Sequence, residues 1–200
     1  EPEPDGALVH TFSGPAFPNK GITLEGLEAF LASYEHEITE TTTTSDVCHA
    51  TVKILTVTPG WTCVATLINP EKSWYKHQYV NNETGEKRDT SPPGSSSYLD
   101  LLQKDPQTAV YVGRPTIFLS HAWTYKFRNL VAALRSYVDA LPADAPPPFF
   151  WFDVFSIDEH ATQQFTQEWW STTFMYAIKG IIIHSGTAQG GHYFSYIRDC

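Results

Sequence analysis

Cysteine is scarce in this chain: Cys48, Cys63 and Cys200 are the only three among 200 residues. An odd, low count argues against a disulfide-stapled scaffold and for a reducing compartment, so the expected location is the cytoplasm. Positive charge is also sparse, with 13 Lys and Arg against 22 Asp and Glu and a formal net charge of −9. No basic cluster breaks that balance, which argues against nucleic acid or an anionic membrane surface as a partner. The acidity itself reads as solubility. No apolar run approaches the roughly 18 residues that a membrane-spanning helix needs, and no signal peptide is visible. The first residue is Glu rather than Met, as in a fragment or a processed product. No cofactor and no metal is expected.

What the chain has in quantity is aromatic carbon. Six Trp, ten Tyr and twelve Phe, within a hydrophobic fraction of 42%, supply an aromatic-heavy core for one domain or slightly more. The stretch to Asn19 is rich in proline and lacks periodicity. From Thr23, a residue able to cap, Leu24, Leu27, Phe30, Leu31 and Tyr34 recur at helical spacing and predict a helix over Thr23–Ile38. The run Thr41–Thr44 reads as the loop that ends it. Val47 to Leu67 reads as strands: one through Val52, Ile54 and Val57, a Pro59-Gly60 turn, then Trp61–Ile68. Trp74–Tyr79 follows as another strand, Asn82–Gly85 as a turn and Asp89–Ser97 as a loop.

Beyond Val110 the pattern changes. Thr116–Ser120 is a short apolar strand, Phe127–Leu141 carries apolar residues at helical spacing, and Pro142 and Pro146–Pro148 stop that helix. Phe149–Ile157 is a continuous apolar run, read as a strand buried on both faces. Strand, helix and strand in this order form a βαβ unit. His121, Asp153 and Asp158 then fall near strand ends, where α/β proteins bind ligands. The plainer readings are solvated loop acids and a satisfied strand-end histidine. The segments Ile117-Phe118-Leu119-Ser120-His121-Ala122-Trp123 and Trp151-Phe152-Asp153-Val154-Phe155-Ser156 resemble those of TIR-like domains. That resemblance implies a flavodoxin-like fold, signalling by self-association and, in some families, NAD cleavage by a glutamate on a later helix. Glu159 and Glu168 come too early for that role.

The densest pattern closes the chain. Tyr176, Gly180, His184, Gly186, Gly191, His192 and Tyr193 are spaced as in the histidine box of the ubiquitin-specific proteases, which this stretch resembles. Ile178 departs mildly, standing where that family usually has Leu. The resemblance implies that His192 is the imidazole that deprotonates a catalytic thiol. It implies too that Gly190, Gly191 and Tyr193 line the channel for a ubiquitin tail, where a backbone free of Cβ leaves room. The family's Gly-Asn-Thr-Cys-Tyr nucleophile box is absent, and none of the three cysteines has its context. Asp199 comes too early after His192 to be the residue that orients the imidazole.

The expected fold class is therefore α/β: a partial flavodoxin/TIR-like βαβ sheet, a mixed α+β N-terminal extension and a C-terminal β-hairpin from a papain-like protease palm. The expected segments are 1–22 irregular, 23–110 extension, 111–174 TIR-like and 175–200 histidine-box hairpin, with a seam near Met175. The expected function is that of a fragment or fusion related to deubiquitinating cysteine proteases, inactive alone, with ubiquitin or a ubiquitinated protein as partner. The alternatives are a TIR-like signalling module that binds protein partners, or a non-functional chimera.

Overall fold

The computed structural model describes residues 18–50, 60–69, 74–90, 92, 94–158, 182–187 and 190–196, and only the backbone at 50, 74–75, 182–187 and 190–196. The strand expected through Val52, Ile54 and Val57 lies outside these residues. The chain runs through β1 (Gly21–Ile22), α1 (Leu24–Ser33), α2 (Thr44–Ala50), β2 (Trp61–Asn69), β3 (Trp74–Asn81), β4 (Lys87–Arg88) and α3 (Tyr98–Lys104). A 3-10 turn at Ala109–Tyr111 leads into β5 (Val112–Gly113) and β6 (Ile117–Phe118). Then come α4 (Phe127–Asp139), β7 (Phe150–Trp151), α5 (Asp153–Ser156), β8 (Ile182–Thr187) and β9 (Gly190–Tyr196). The class is α/β with two sheets. One is six-stranded, in the order β5-β1-β7-β6-β9-β8, and the other is the antiparallel ribbon β2-β3-β4.

The expected βαβ unit is present. Ile117 pairs with Phe150 and Phe118 with Trp151 in parallel register, and α4 makes the crossover between them. The remaining pairs of this sheet are antiparallel: β1 with β5 and β7, β9 with β6, and β8 with β9. β8, the first strand of the C-terminal pair, does not itself pair with β6. Instead β9 joins β6 in antiparallel register, Ile117 with Tyr196 and Phe118 with Ser195, and β8 sits outside it.

Capping chemistry sets the helix starts. Thr23 lies in extended backbone and its Oγ1 accepts from the Gly26 amide at 3.2 Å, opening α1. The helix ends at Ser33, short of Ile38. Tyr34 leaves helical backbone, and the Ile38 carbonyl is taken by Arg128 Nη2 at 2.7 Å and Nε at 3.0 Å. The Thr41–Thr44 run is not simply a loop. Thr43 Oγ1 accepts from the Asp46 amide at 3.1 Å while Asp46 Oδ2 accepts from the Thr43 amide at 2.9 Å, a reciprocal cap that starts α2. Val47 is thus helical rather than part of a strand. Ser97 and Asp100 form the same kind of box on α3.

The run Phe149–Ile157 is corrected as well. Only Phe150–Trp151 is strand; at Asp153 the chain turns into α5, with Asp153 Oδ1 accepting from the Val154 amide at 2.9 Å. Val154, Phe155 and Ile157 stay buried, so burial alone explains the unbroken apolar run. An apolar run without alternation does not distinguish strand from buried helix.

Phe30 is the hub of the core. Its ring meets Phe155 at 4.9 Å, Tyr34 at 5.0 Å, Tyr98 at 5.4 Å and Phe127 at 6.0 Å between centroids, joining α1, α3, α4 and α5. Edge-to-face pairs of this kind add about 0.5–1.5 kcal/mol each beyond area burial. On the surface between α1 and α4, Arg135 Nε donates to Glu28 Oε1 at 2.9 Å, with a second, parallel contact between Nη2 and Oε2. On the strand face away from Ile117 and Phe150, Phe118 stacks on Trp151 at 4.9 Å, and Trp151 Nε1 donates to the Pro18 carbonyl at 2.8 Å.

Two consequences for stability follow from this packing. A Cβ at Gly26 would lie 2.8 Å from Ile22 Cγ1 and from Tyr111 Cβ. Gly26→Ala is therefore expected to destabilise by about 1–3 kcal/mol through overpacking, despite a helix-propensity gain of about 1 kcal/mol. A lowered urea midpoint at unchanged slope would show it; a raised midpoint would contradict the close approach.

Asp100 gives a pH dependence. Burial would raise its pKa, but hydrogen bonds from Lys20 and Ser97 and the Lys20 charge outweigh burial and lower it. A carboxyl depressed in the folded state contributes stability above its unfolded pKa of about 3.9, and that contribution is lost as pH falls through the folded value. Acid titration of stability should be shallower below about pH 4 in Asp100→Asn than in the parent; identical acid limbs would remove the claim.

Candidate functional site

The strongest site signal in the sequence falls on β9. Gly190 pairs with Thr187, Gly191 with Gly186, His192 with Ser185 and Tyr193 with His184, in unbroken antiparallel register. The described backbone of this stretch is thus an antiparallel strand pair carried on the edge of β6. Tyr176, Gly180, Asp199 and Cys200 lie outside the described residues.

A thiol partner for an imidazole must be ionisable near neutral pH. Cys48 is fully buried in α2 within the apolar core. Cys63 sits on β2, in the other sheet from His192. Burial pushes its thiol up to about 11, against a smaller lowering by its hydrogen bond with Tyr79. Neither described thiol has the environment of an activated nucleophile.

A second constellation forms at the carboxyl ends of the parallel pair. His121 lies three residues after β6 and Asp153 two after β7, and their side chains meet: His121 Nε2 to Asp153 Oδ1 is 2.9 Å. The imidazole is 3% exposed and the carboxylate 25%, so the acid is neither a solvated loop residue nor sealed from solvent. Trp123 at 5.0 Å and Phe152 at 4.9 Å flank the ring, both edge-to-face. In a neutral ring facing a carboxylate, which only accepts, the proton sits on Nε2 and the lone pair on Nδ1. That Nδ1 is buried and, among the described residues, has no hydrogen-bond partner. An imidazole held in one tautomer by a carboxylate is the base half of a general acid–base arrangement, and equally a ligand-type nitrogen. Asp158, expected at a strand end, instead follows α5 and accepts from Ser95 Oγ at 2.5 Å.

The loop bearing His121 is clamped from below by α2. Backbone amides of Thr44 and Ser45 donate to the carbonyls of Tyr125 and Trp123 at 2.9 Å each. The Thr44 hydroxyl lies 2.9 Å from the Ala122 and Trp123 carbonyls, within donating distance of both. One turn further along α2, His49 stacks on Trp123 with centroids 6.0 Å apart, and its ring lies 5.5 Å from that of His77 on β3. Burial, then the neighbouring His77, lowers the His49 pKa to about 4 against a smaller opposing effect of Asp46; burial lowers that of His77. Both imidazoles are therefore neutral at neutral pH. The sequence reading named His121, Asp153 and Asp158 but not their partners, and it missed His49 and His77 altogether. A pair separated by a turn, a strand and a hairpin carries no local signature. Among the described residues no group of three or more His, Cys, Asp or Glu side chains is gathered for a metal ion.

No protein-family model, no curated protein and no solved structure matches this chain.

The tautomer of His121 is directly measurable. Imidazole nitrogen NMR should show Nε2 protonated and Nδ1 bare, and Asp153→Asn should lose that single tautomer, because an amide can serve as donor or acceptor. A ring unchanged by Asp153→Asn would mean that Asp153 does not set it.

Proposed function

We propose that this chain acts by protein association: a TIR-like α/β signalling module whose sheet carries a hairpin related to the histidine box of ubiquitin-specific proteases. By itself it does not hydrolyse the ubiquitin C-terminal bond. The observation that carries the reading is the state of the thiols. A base such as His192 has work only if a thiolate can form beside it, and a buried Cys48 and a Cys63 with a pKa of about 11 do not supply one. The parallel β6–α4–β7 unit, with His121 and Asp153 at its strand ends, supports the TIR-like part of the reading. The antiparallel neighbours on both sides confine that part to the βαβ unit and its loops rather than a complete parallel sheet. Association has surface to work with: β2 exposes Val64, Leu67 and Ile68, and the site loop exposes Trp123. The partners implied are proteins recognised through the TIR-like unit, and ubiquitin or a ubiquitinated protein through the hairpin. The proposed compartment is the cytoplasm. Among the described residues no helix is long and apolar enough to cross a membrane.

The second reading is a deubiquitinating cysteine hydrolase completed by a thiol outside the described residues. The β8–β9 hairpin favours it, since it sets Gly190, Gly191 and His192 in a regular strand. The two readings part on one experiment. The purified chain is incubated with ubiquitin bearing a C-terminal thiol-reactive electrophile, alongside single Ala variants of Cys48, Cys63, Cys200 and His192. No covalent adduct is the expected result. Labelling that requires one cysteine and His192 would establish the hydrolase and end the association-only reading.

A further inference from the structure

The pair His49 and His77 has no part in the function proposed above, and its geometry is specific. The two rings come from different layers, α2 and the β2-β3-β4 ribbon, and meet with centroids 5.5 Å apart and planes at 42°. His77 pairs across from Ala65, and the same ribbon face carries Cys63 and Tyr79 two residues along each strand. His77 Nε2 is buried and, among the described residues, has no hydrogen-bond partner. Leaving such a nitrogen unsatisfied is costly, so a native structure normally supplies a donor, a water or an ion. Two imidazoles on one tetrahedral zinc, each with a metal–nitrogen distance of about 2.0–2.1 Å, place their ring centres roughly 5–5.5 Å apart. The observed separation falls at the upper end of that range.

We propose that His49 and His77 together bind one divalent transition-metal ion of the zinc class, tying α2 to the ribbon. Imidazole suits zinc, nickel and copper, and only the neutral ring binds. The other coordination positions would be filled by water, because the nearby groups are engaged elsewhere. The Asp46 carboxylate caps Thr43, and the Cys63 thiol hydrogen-bonds with Tyr79. With two protein ligands and solvent in the remaining positions, such a site binds more weakly than a closed structural zinc site. The ion would lie beside Trp123, which stacks on His49 and flanks His121, so it would also stiffen the loop over the His121–Asp153 pair.

The test uses the full chain, stripped with chelator and titrated with Zn²⁺ at neutral pH. Calorimetry should count one ion per chain, and thermal unfolding should shift upward by about 2–4 °C at saturating metal. His49→Gln and His77→Gln should each abolish the shift, while His36→Gln, at an exposed position in the loop after α1, should keep it. Should either site variant fail to fold, Co²⁺ added to the parent protein gives a second readout: paramagnetic broadening should be greatest at the His49 and His77 rings. Absence of binding, a shift that survives both variants, or broadening centred elsewhere would each overturn the proposal. In that event the two rings are packed imidazoles bridged by water.

Discussion

Two rungs of parallel pairing, Ile117 with Phe150 and Phe118 with Trp151, hold the six-stranded sheet together. β1 attaches to β7 through the single pairing Ile22–Phe150 and passes β5 on to the edge; β9 attaches to β6 and passes β8 on to the other. Strands of two residues contribute little ladder energy. The pair endures because side chains bury it from both faces. Ile117 and Phe150 face the apolar core, where Phe150 meets Tyr137 of α4; Phe118 and Trp151 stack on the reverse face under the Pro18 carbonyl. The same two rungs decide where His121 and Asp153 emerge. Had β7 continued as far as Ile157, Asp153 would lie within a strand, and its Oδ1 would not cap α5 while accepting from His121.

Legibility in the sequence followed the length of the element. α4, with Phe127, Leu130, Val131 and Leu134 buried, and α1, with Leu24, Leu27 and Phe30, are long enough for periodicity to show. α2 and α3 have seven residues each and show no such stripe. Their signal was local: Thr43-Thr44-Ser45-Asp46 and Ser97-Tyr98-Leu99-Asp100 both place an acid three residues after a hydroxyl. The shorter Asp stands where a longer Glu is commoner, and the first box lay hidden in a run of threonines that read as a loop. How the C-terminal pair docks was not legible for a different reason. Whether a hairpin docks by its first or its second strand depends on which edge of β6 is free, and no property of the hairpin's own residues carries that information.

The candidate site divides in the same way. His121 and Asp153 were legible as strand-end residues because the βαβ pattern locates strand ends, yet their mutual hydrogen bond depends on the register of β6 against β7. His49 and His77 were not legible at all. Their meeting depends on α2 lying across the ribbon, and that arrangement rests on the clamp between Thr44–Ser45 and the carbonyls of Trp123 and Tyr125. The cysteines point the other way. Scarcity of thiols was visible from composition, but the burial that pushes the Cys63 thiol up to about 11, against a smaller lowering by Tyr79, is supplied only by the fold.

Buried polar atoms without partners are where a fold departs from its own economy. Among the described residues His77 Nε2 and His121 Nδ1 both do so, and both belong to rings within one aromatic chain of contacts: His77 to His49, His49 to Trp123, Trp123 to His121. Elsewhere buried hydroxyls find acceptors or donors, as Thr23 does with Gly26, Ser97 with Asp100 and Ser156 with Phe152. A random packing defect would not be expected to select imidazoles twice along one connected path. Lone pairs gathered there can accept a hydrogen bond from a ligand's N–H or O–H, or be given to a metal ion. The neighbouring Trp123 ring, anchored through its backbone to α2 and 42% exposed, stands between that region and solvent. The described imidazoles of this molecule thus meet at the junction of α2, the ribbon and the His121 loop.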